Sequence, residues 1–275
     1  MNAQGLFNRI MERNSFLCVG LDPDPLKMPL KFKADPDRLF NFCASIIDAT
    51  RDLCVSYKPN TAFFECHGTA GWDALRRVIE YIGKEHFVIA DAKRGDIGNT
   101  AAMYADAFFQ SLQADAVTVA PYMGRDSVNP FLSFQDKWAV VLALTSNKGS
   151  EDFQLLSVED AGSARPLFET VLRKVASWGT TDNLMFVVGA THPDLFRAVR
   201  KIVPDHFLLV PGVGAQGGDL EAVCAAGMNE RCGLLVNSSR QILYASGGDD
   251  FVQKARMEAV KLRDQMAALL ERHIN

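Results

Sequence analysis

The sequence predicts an α/β fold of the (β/α)8, or TIM, barrel type, and three observations carry that prediction. Short apolar runs of strand type alternate with stretches of helical period from one end to the other, eight of each. The 275 residues suit one such barrel, which typically takes about 250. Polar residues gather at the C-terminal ends of the runs, the side on which barrels build their sites. A doubly wound sheet is the runner-up on counting alone, and two small domains are the alternative on length. No stretch reads as a linker, a repeat or low complexity, so residues 1–275 are expected to form a single barrel domain.

In chain order, the amphipathic opening MNAQGLFNRIMERNS lacks the apolar core and cleavage site of a signal peptide and is expected to form a short leading helix. Ser15 to Asp22 is the first strand, followed by a loop rich in Pro and Lys and a helix over Asp37 to Leu53 with Leu39, Phe42, Ile46 and Ile47 on one face. Cys54 to Asn60 is the second strand, and Thr69 to Gly83 its helix. Phe87 opens the third strand, with a helix over Ala101 to Leu112 that Asn99 or Thr100 would cap. Ala116 to Pro121 is the fourth, with a short helix near Ser127 to Gln135. Trp138 to Ser146 is the fifth, then a long polar loop from Asn147 to Gly162 and a helix near Ala164 to Trp178. Leu184 to Thr191 and its helix Pro193 to Ile202 come sixth, the helix entered through Thr191, His192 and Pro193. His206 to Val213 is the seventh, with a helix from Asp219 to Ala226. Gly233 to Arg240 is the eighth, and Asp250 to Glu271 is the closing helix.

Composition narrows the function classes. A hydrophobic fraction of 48% supports a large core. A net charge of −4 and a pI of about 5.8 give no support to binding nucleic acid or anionic membranes. No apolar run reaches the roughly 18 residues of a membrane span. The six cysteines form no CxxC and read as small buried hydrophobes of a reducing, cytoplasmic compartment. The five histidines show no metal-ligand spacing.

The most informative stretch is FVIADAKRGDIGNT, Phe87 to Thr100. An apolar strand runs abruptly into Asp91, Lys93, Arg94 and Asp96. Side chains alternate along a strand, so Asp91 and Lys93 are expected to point the same way and to shift each other's pKa. A structural ion pair is the plainer explanation, but Asp96 and the nearby glycines Gly95 and Gly98 favour a ligand site. Other strand ends add candidates. Asp22 ends the first strand, as a turn-former or a ligand. Lys58 ends the second; if it points inward, Asp91 is its expected partner. Ser146 ends the fifth, where a hydroxyl can read a polar ring edge. Pro211 and Gly212 open a glycine-rich loop containing Gln216 ahead of a helix N-terminus, and Arg240 ends the eighth strand. Together they suggest a phosphate monoester site.

Asp91-x-Lys93-x-x-Asp96-Ile97-Gly98-Asn99-Thr100 resembles the signature of the orotidine 5′-phosphate decarboxylase family, without departure. The resemblance extends from Leu21 to Arg240, and the long loop after the fifth strand is similar to the longer-chain bacterial branch. It implies decarboxylation of orotidine 5′-phosphate to uridine 5′-phosphate, the last step of pyrimidine nucleotide synthesis, with no metal or organic cofactor. It implies an array of Lys58, Asp91, Lys93 and Asp96, in which Lys93 faces and protonates a ring carbanion. It assigns Asp22 to a ribose hydroxyl, Ser146 to the base, and Gln216 and Arg240 to the phosphate. It also implies a homodimer, with Asp96 and Thr100 reaching into the partner's site.

Three rivals remain at this level. A magnesium-dependent sugar-phosphate decarboxylase or aldolase shares Asp-x-Lys-x-x-Asp, but such enzymes carry an acid where this chain has Lys58. A Schiff-base aldolase would use Lys58 or Lys93 as nucleophile. A phosphate-ligand binding barrel without activity would not require the charged array.

Overall fold

Leu17–Leu21 (β1) is buried along its whole length, as a strand must be when helices cover one face and other strands' side chains the other. β2 (Ser56–Pro59), β3 (Phe87–Arg94), β4 (Ala116–Val119) and β5 (Trp138–Leu144) follow. After a hairpin of β6 (Ser157–Asp160) and β7 (Ser163–Pro166) come β8 (Leu184–Val188), β9 (Leu208–Pro211) and β10 (Leu234–Ser238). The computed structural model describes residues 1–160, 162–190, 193–213 and 219–274. All strands but the hairpin close into a parallel barrel in the order β1-β10-β9-β8-β5-β4-β3-β2. The expected (β/α)8 barrel is therefore the fold.

Helices pack around it: α1 (Ala3–Arg13), α2 (Arg38–Thr50), α3 (Ala62–Glu65), α4 (Gly68–Ile82), α5 (Gly98–Asp106), α6 (Arg125–Leu132), α7 (Leu167–Ala176), α8 (Pro193–Ile202), α9 (Leu220–Gly227), α10 (Arg240–Leu243) and α11 (Phe251–His273). Their apolar stripes meet the strands, as Leu75, Val78, Ile79 and Ile82 of α4 do, all buried. The leading helix α1 lies at the N-terminal end of the barrel. Asn2 caps it, Leu6 and Ile10 are fully buried, and Trp138 at the start of β5 donates to the Met1 carbonyl at 2.7 Å. The opposite end of the barrel is left open for a site.

Several boundaries differ from the sequence reading. The helix after β3, α5, starts at Gly98, so Asn99 and Thr100 lie inside it, and the residue at the cap position is Ile97, with no side-chain cap. The helix widens into a π turn over Ala107–Ser111. The polar loop after β5 is not plain loop: Ser157–Asp160 pairs antiparallel with Ser163–Pro166. That pairing delays the next helix from Ala164 to Leu167, entered through Pro166, whose ring fixes φ for the turn. The short helix α10 was not foreseen. Thr191 and His192, the expected entry to α8, lie outside the described residues. Five of the six cysteines are buried, and Cys66 is exposed.

Candidate active site

The site is built on a distortion of β3. Ala90 pairs with Val117 and Arg94 with Val119, so three residues of β3 face one of β4, a bulge. Lys93 is the last of the three, with φ +47°, a left-handed conformation costly for a residue with a Cβ and typical of functional sites. Asp91 and Lys93 do meet on one side, with Lys93 Nζ 2.5 Å from Asp91 Oδ1. They meet through the bulge, and plain strand alternation is not the geometry that joins them.

Lys58, at the end of β2, donates from Nζ to the other oxygen, Asp91 Oδ2, at 2.6 Å. Lys58 is 5% exposed and Asp91 9%. Thr118 Oγ1 donates to Asp91 Oδ1 at 3.0 Å. Burial works against ionisation of Asp91, but the two ammonium groups outweigh it and hold the carboxyl well below the usual carboxylate range. Burial likewise opposes the charge of Lys58, yet Asp91 and Asp22 overcome it and raise its pKa. The result is a carboxylate clamped between two cations, with Lys93 reaching outward: its side chain is 52% exposed.

Around this pair opens a cleft of about 160 Å³ that brings Asp22, Lys58, Asp91, Pro211, Gly212 and Arg240 together. Six of the residues singled out in the sequence thus share one cavity. Lys93 adjoins it through Asp91. Among the described residues, Asp22 Oδ1, Asn237 Oδ1 and Ser238 Oγ are buried there without a hydrogen-bond partner. Orphaned acceptors and hydroxyls at the mouth of a barrel are what a polar ligand would satisfy. Gly20 makes the room: a Cβ there would lie 1.7 Å from Ser239 Oγ.

Asp96 and Thr100 stand apart. Asp96 is half-buried and accepts from the Ile97 amide at 2.8 Å. Among the described residues it makes no ion pair with Lys58 or Lys93, so the four-charge array is three charges within one chain. Thr100 is exposed on α5. Ser146 follows β5, half-buried. Its backbone passes so close to Gly189 that a Cβ at that glycine would meet Ser146 N at 2.7 Å. Gln216 lies outside the described residues.

Sequence reasoning missed Asn60, Asn237, Ser238 and Ser239 as cleft residues. It also missed Thr118 and Tyr244. Tyr244 donates to the Asp22 carbonyl at 2.6 Å and accepts from the Asp24 amide at 2.7 Å, so it fixes the loop that carries Asp22. The only sequence signal for Thr118 was a lone polar residue in AVTV.

Comparison with known proteins identifies the family and relatives of the chain. A model of the orotidine 5′-phosphate decarboxylase / HUMPS family matches residues 15–256. The chain is 56% identical over 274 residues to orotidine 5′-phosphate decarboxylase of Bacteroides fragilis, covering 98% of this chain and 99% of that one. It is 54% identical over 274 residues to the Flavobacterium johnsoniae protein of the same name, with the same coverage of each. Among solved structures, Leishmania donovani OMP decarboxylase superposes with a TM-score of 0.84 at 39% identity, covering 98% of this chain and 99% of that chain. The UMP synthase of the same organism gives 0.85 at 40%, covering 98% of this chain and 56% of that one.

Proposed function

Since the chain belongs to the orotidine 5′-phosphate decarboxylase / HUMPS family, we propose that its cleft removes carbon dioxide from orotidine 5′-phosphate through the charges of Lys58, Asp91 and Lys93. The reaction class is that of a carboxy-lyase. The observation that carries the mechanism is the Asp91 carboxylate, nearly buried and held at 2.6 and 2.5 Å by two lysines.

The bond between C6 of the pyrimidine and its carboxylate breaks. Carbon dioxide leaves, and the electron pair stays on C6 with no carbonyl placed to absorb it. The site must therefore stabilise that charge by fixed electrostatics. Lys93, the outward cation, faces the developing carbanion and then delivers a proton to C6, which yields uridine 5′-phosphate. Asp91 stands beside the departing carboxylate. Lys58 keeps Asp91 ionised and in place. Asp22 takes a ribose hydroxyl, Ser146 the base edge, and Arg240 the phosphate, with Pro211, Gly212 and Gln216 completing the phosphate loop.

Lys58 argues against the other branches of the family. Its ammonium lies against Asp91 where a divalent cation would need a further acid, and its raised pKa keeps it protonated, a poor Schiff-base nucleophile. Among the described residues no three His, Cys, Asp or Glu side chains gather as a metal ligand set.

The working form is a homodimer in which Asp96 and Thr100 complete the partner's site. In its support, Ile97 beside Asp96, Met103 one turn along α5 from Thr100, and Tyr122 and Met123 are exposed apolar side chains, Met123 lying 3.7 Å from where a Cβ of Gly95 would be, and monomers seldom expose large apolar clusters. A cytoplasmic location fits the free cysteines, and no helix among the described residues is long and apolar enough to cross a membrane.

The test is the ultraviolet absorbance of orotidine 5′-phosphate after adding the protein, with and without a chelator. The expected result is loss of the substrate band at the same rate in both. No loss, or loss abolished by the chelator, contradicts the proposal.

A further inference from the structure

We infer that Thr118 is a positioning residue for the decarboxylation, fixing Lys93 through the backbone and Asp91 through the side chain. The inference rests on the function proposed above and adds a residue to it. Thr118 is the single β4 residue between Val117 and Val119, opposite the bulged Asp91, Ala92 and Lys93. One strand residue cannot supply ladder bonds to three. The Thr118 side chain makes up the shortfall: its Oγ1 accepts from the Lys93 amide at 2.8 Å and donates to Asp91 Oδ1 at 3.0 Å. A hydroxyl has one proton to give and can accept at the same time, so both bonds are compatible.

The residue is 1% exposed, so water has little access to replace it. The amide it holds belongs to the residue at φ +47°. Such a conformation persists only where its surroundings over-determine it, and the bond to Thr118 is the restraint closest to it. Loss of the hydroxyl would let the turn relax towards ordinary strand geometry and swing the Lys93 ammonium away from Asp91. Thr118 does not touch the reacting atoms in this scheme; it acts through two residues that do.

The experiment uses Thr118→Val, which keeps the shape and removes the hydroxyl, with Thr118→Ser as the rescue. The full-length protein is assayed on orotidine 5′-phosphate, and hydrogen exchange of the Lys93 amide is followed by NMR. Misplacement of a catalytic group by about an ångström costs on the order of a hundredfold in rate. The expected result is a fall in kcat of roughly that size in Thr118→Val, with KM little changed, fast exchange of the Lys93 amide, and recovery of both in Thr118→Ser. A kcat and an exchange rate in Thr118→Val equal to the unmutated protein's overturn the inference. If Thr118→Val does not fold, Thr118→Ala and Thr118→Ser differ by the hydroxyl alone, and identical behaviour of those two overturns it. If the unmutated protein fails to turn over the substrate, the function proposed above falls. The Lys93 exchange then decides the positioning by itself: a protected amide that loses protection with the hydroxyl supports it, and a fast-exchanging amide in the unmutated protein overturns it.

Discussion

Lys58 Nζ lies 2.6 Å from Asp91 Oδ2, a contact between residues 33 positions apart on neighbouring strands, with both side chains almost wholly buried. Removing one partner of such a pair leaves an uncompensated buried charge, which costs about 3–5 kcal/mol. Asp91→Ala is therefore expected to lower stability by that order in urea unfolding. The double variant Lys58→Met, Asp91→Leu should recover most of it while remaining inactive. The pH dependence follows from the directions of the shifts. Asp91 is depressed, so its contribution is present above the ordinary carboxylate value of 3.8 and fades as pH falls below it. Lys58 is raised, so its contribution is present below 10.5 and fades as pH rises past it. A coupling energy between the two that changes across the neutral range would contradict this.

Phosphate binding at Arg240, remote from C6, is expected to serve the rate as well as affinity, because remote binding energy can offset the cost of arranging the reacting groups. Orotidine without its phosphate should lose kcat and not only bind more weakly. Arg240→Ala should show the same two effects on the phosphorylated substrate. Equal kcat for orotidine and its 5′-phosphate would refute this part.

Tyr244 ties the Asp22 loop to α10, whose first residue is Arg240, through its hydroxyl bonds to Asp22 O and Asp24 N and the Tyr244 amide bond to Arg240 O at 3.1 Å. Tyr244→Phe keeps the stacking on Phe42, whose ring lies 5.9 Å away. It should cost about 1–3 kcal/mol from the acceptor and donor left unpaired, read in urea unfolding. A larger KM should accompany it, from looser placement of Asp22. An unchanged KM would assign Tyr244 to stability alone.

His206 offers a separate test away from the site. Burial, helped by the nearby Arg200 guanidinium, pulls its pKa from 6.5 down to about 4. Arg200 in turn is held by backbone carbonyls, among them His206 O at 2.6 Å and Gly227 O at 2.6 Å. Between those two pH values the unfolded chain binds a proton that the folded one does not. Stability should therefore fall as pH drops from 6.5 towards 4, by at most about 1.4 kcal/mol per unit. His206→Phe should flatten that slope in urea titrations, and parallel slopes would reject the assignment.

Much of this site was legible in the sequence, because a barrel sends the C-terminal end of every strand to one mouth. Asp22, Lys58, Asp91, Pro211, Gly212 and Arg240 could be gathered from strand ends alone. What failed to show was anything set by departures from regular geometry. The bulge in β3 makes Lys93 left-handed, and strand alternation knows nothing of it. Thr118 matters only because that bulge leaves a ladder bond unmade. Tyr244 lies more than 200 positions from the loop it holds. The β6–β7 hairpin was hidden by charged, exposed strands that carry no apolar alternation. Among the described residues Asp96 joins no charge within its own chain, and the family resemblance implies its contacts only across a dimer interface.

In the proposed reaction Lys93, held by Asp91, stabilises and then protonates the carbanion. The most direct test of that role is kcat of Lys93→Ala at saturating orotidine 5′-phosphate. Loss of a positioned proton donor alone costs about 10²–10⁴-fold, and at least that fall is expected, with uridine 5′-phosphate still bound. A variant that turns over within about tenfold of the unmutated protein, a barrier change of only ~1.4 kcal/mol, would contradict it.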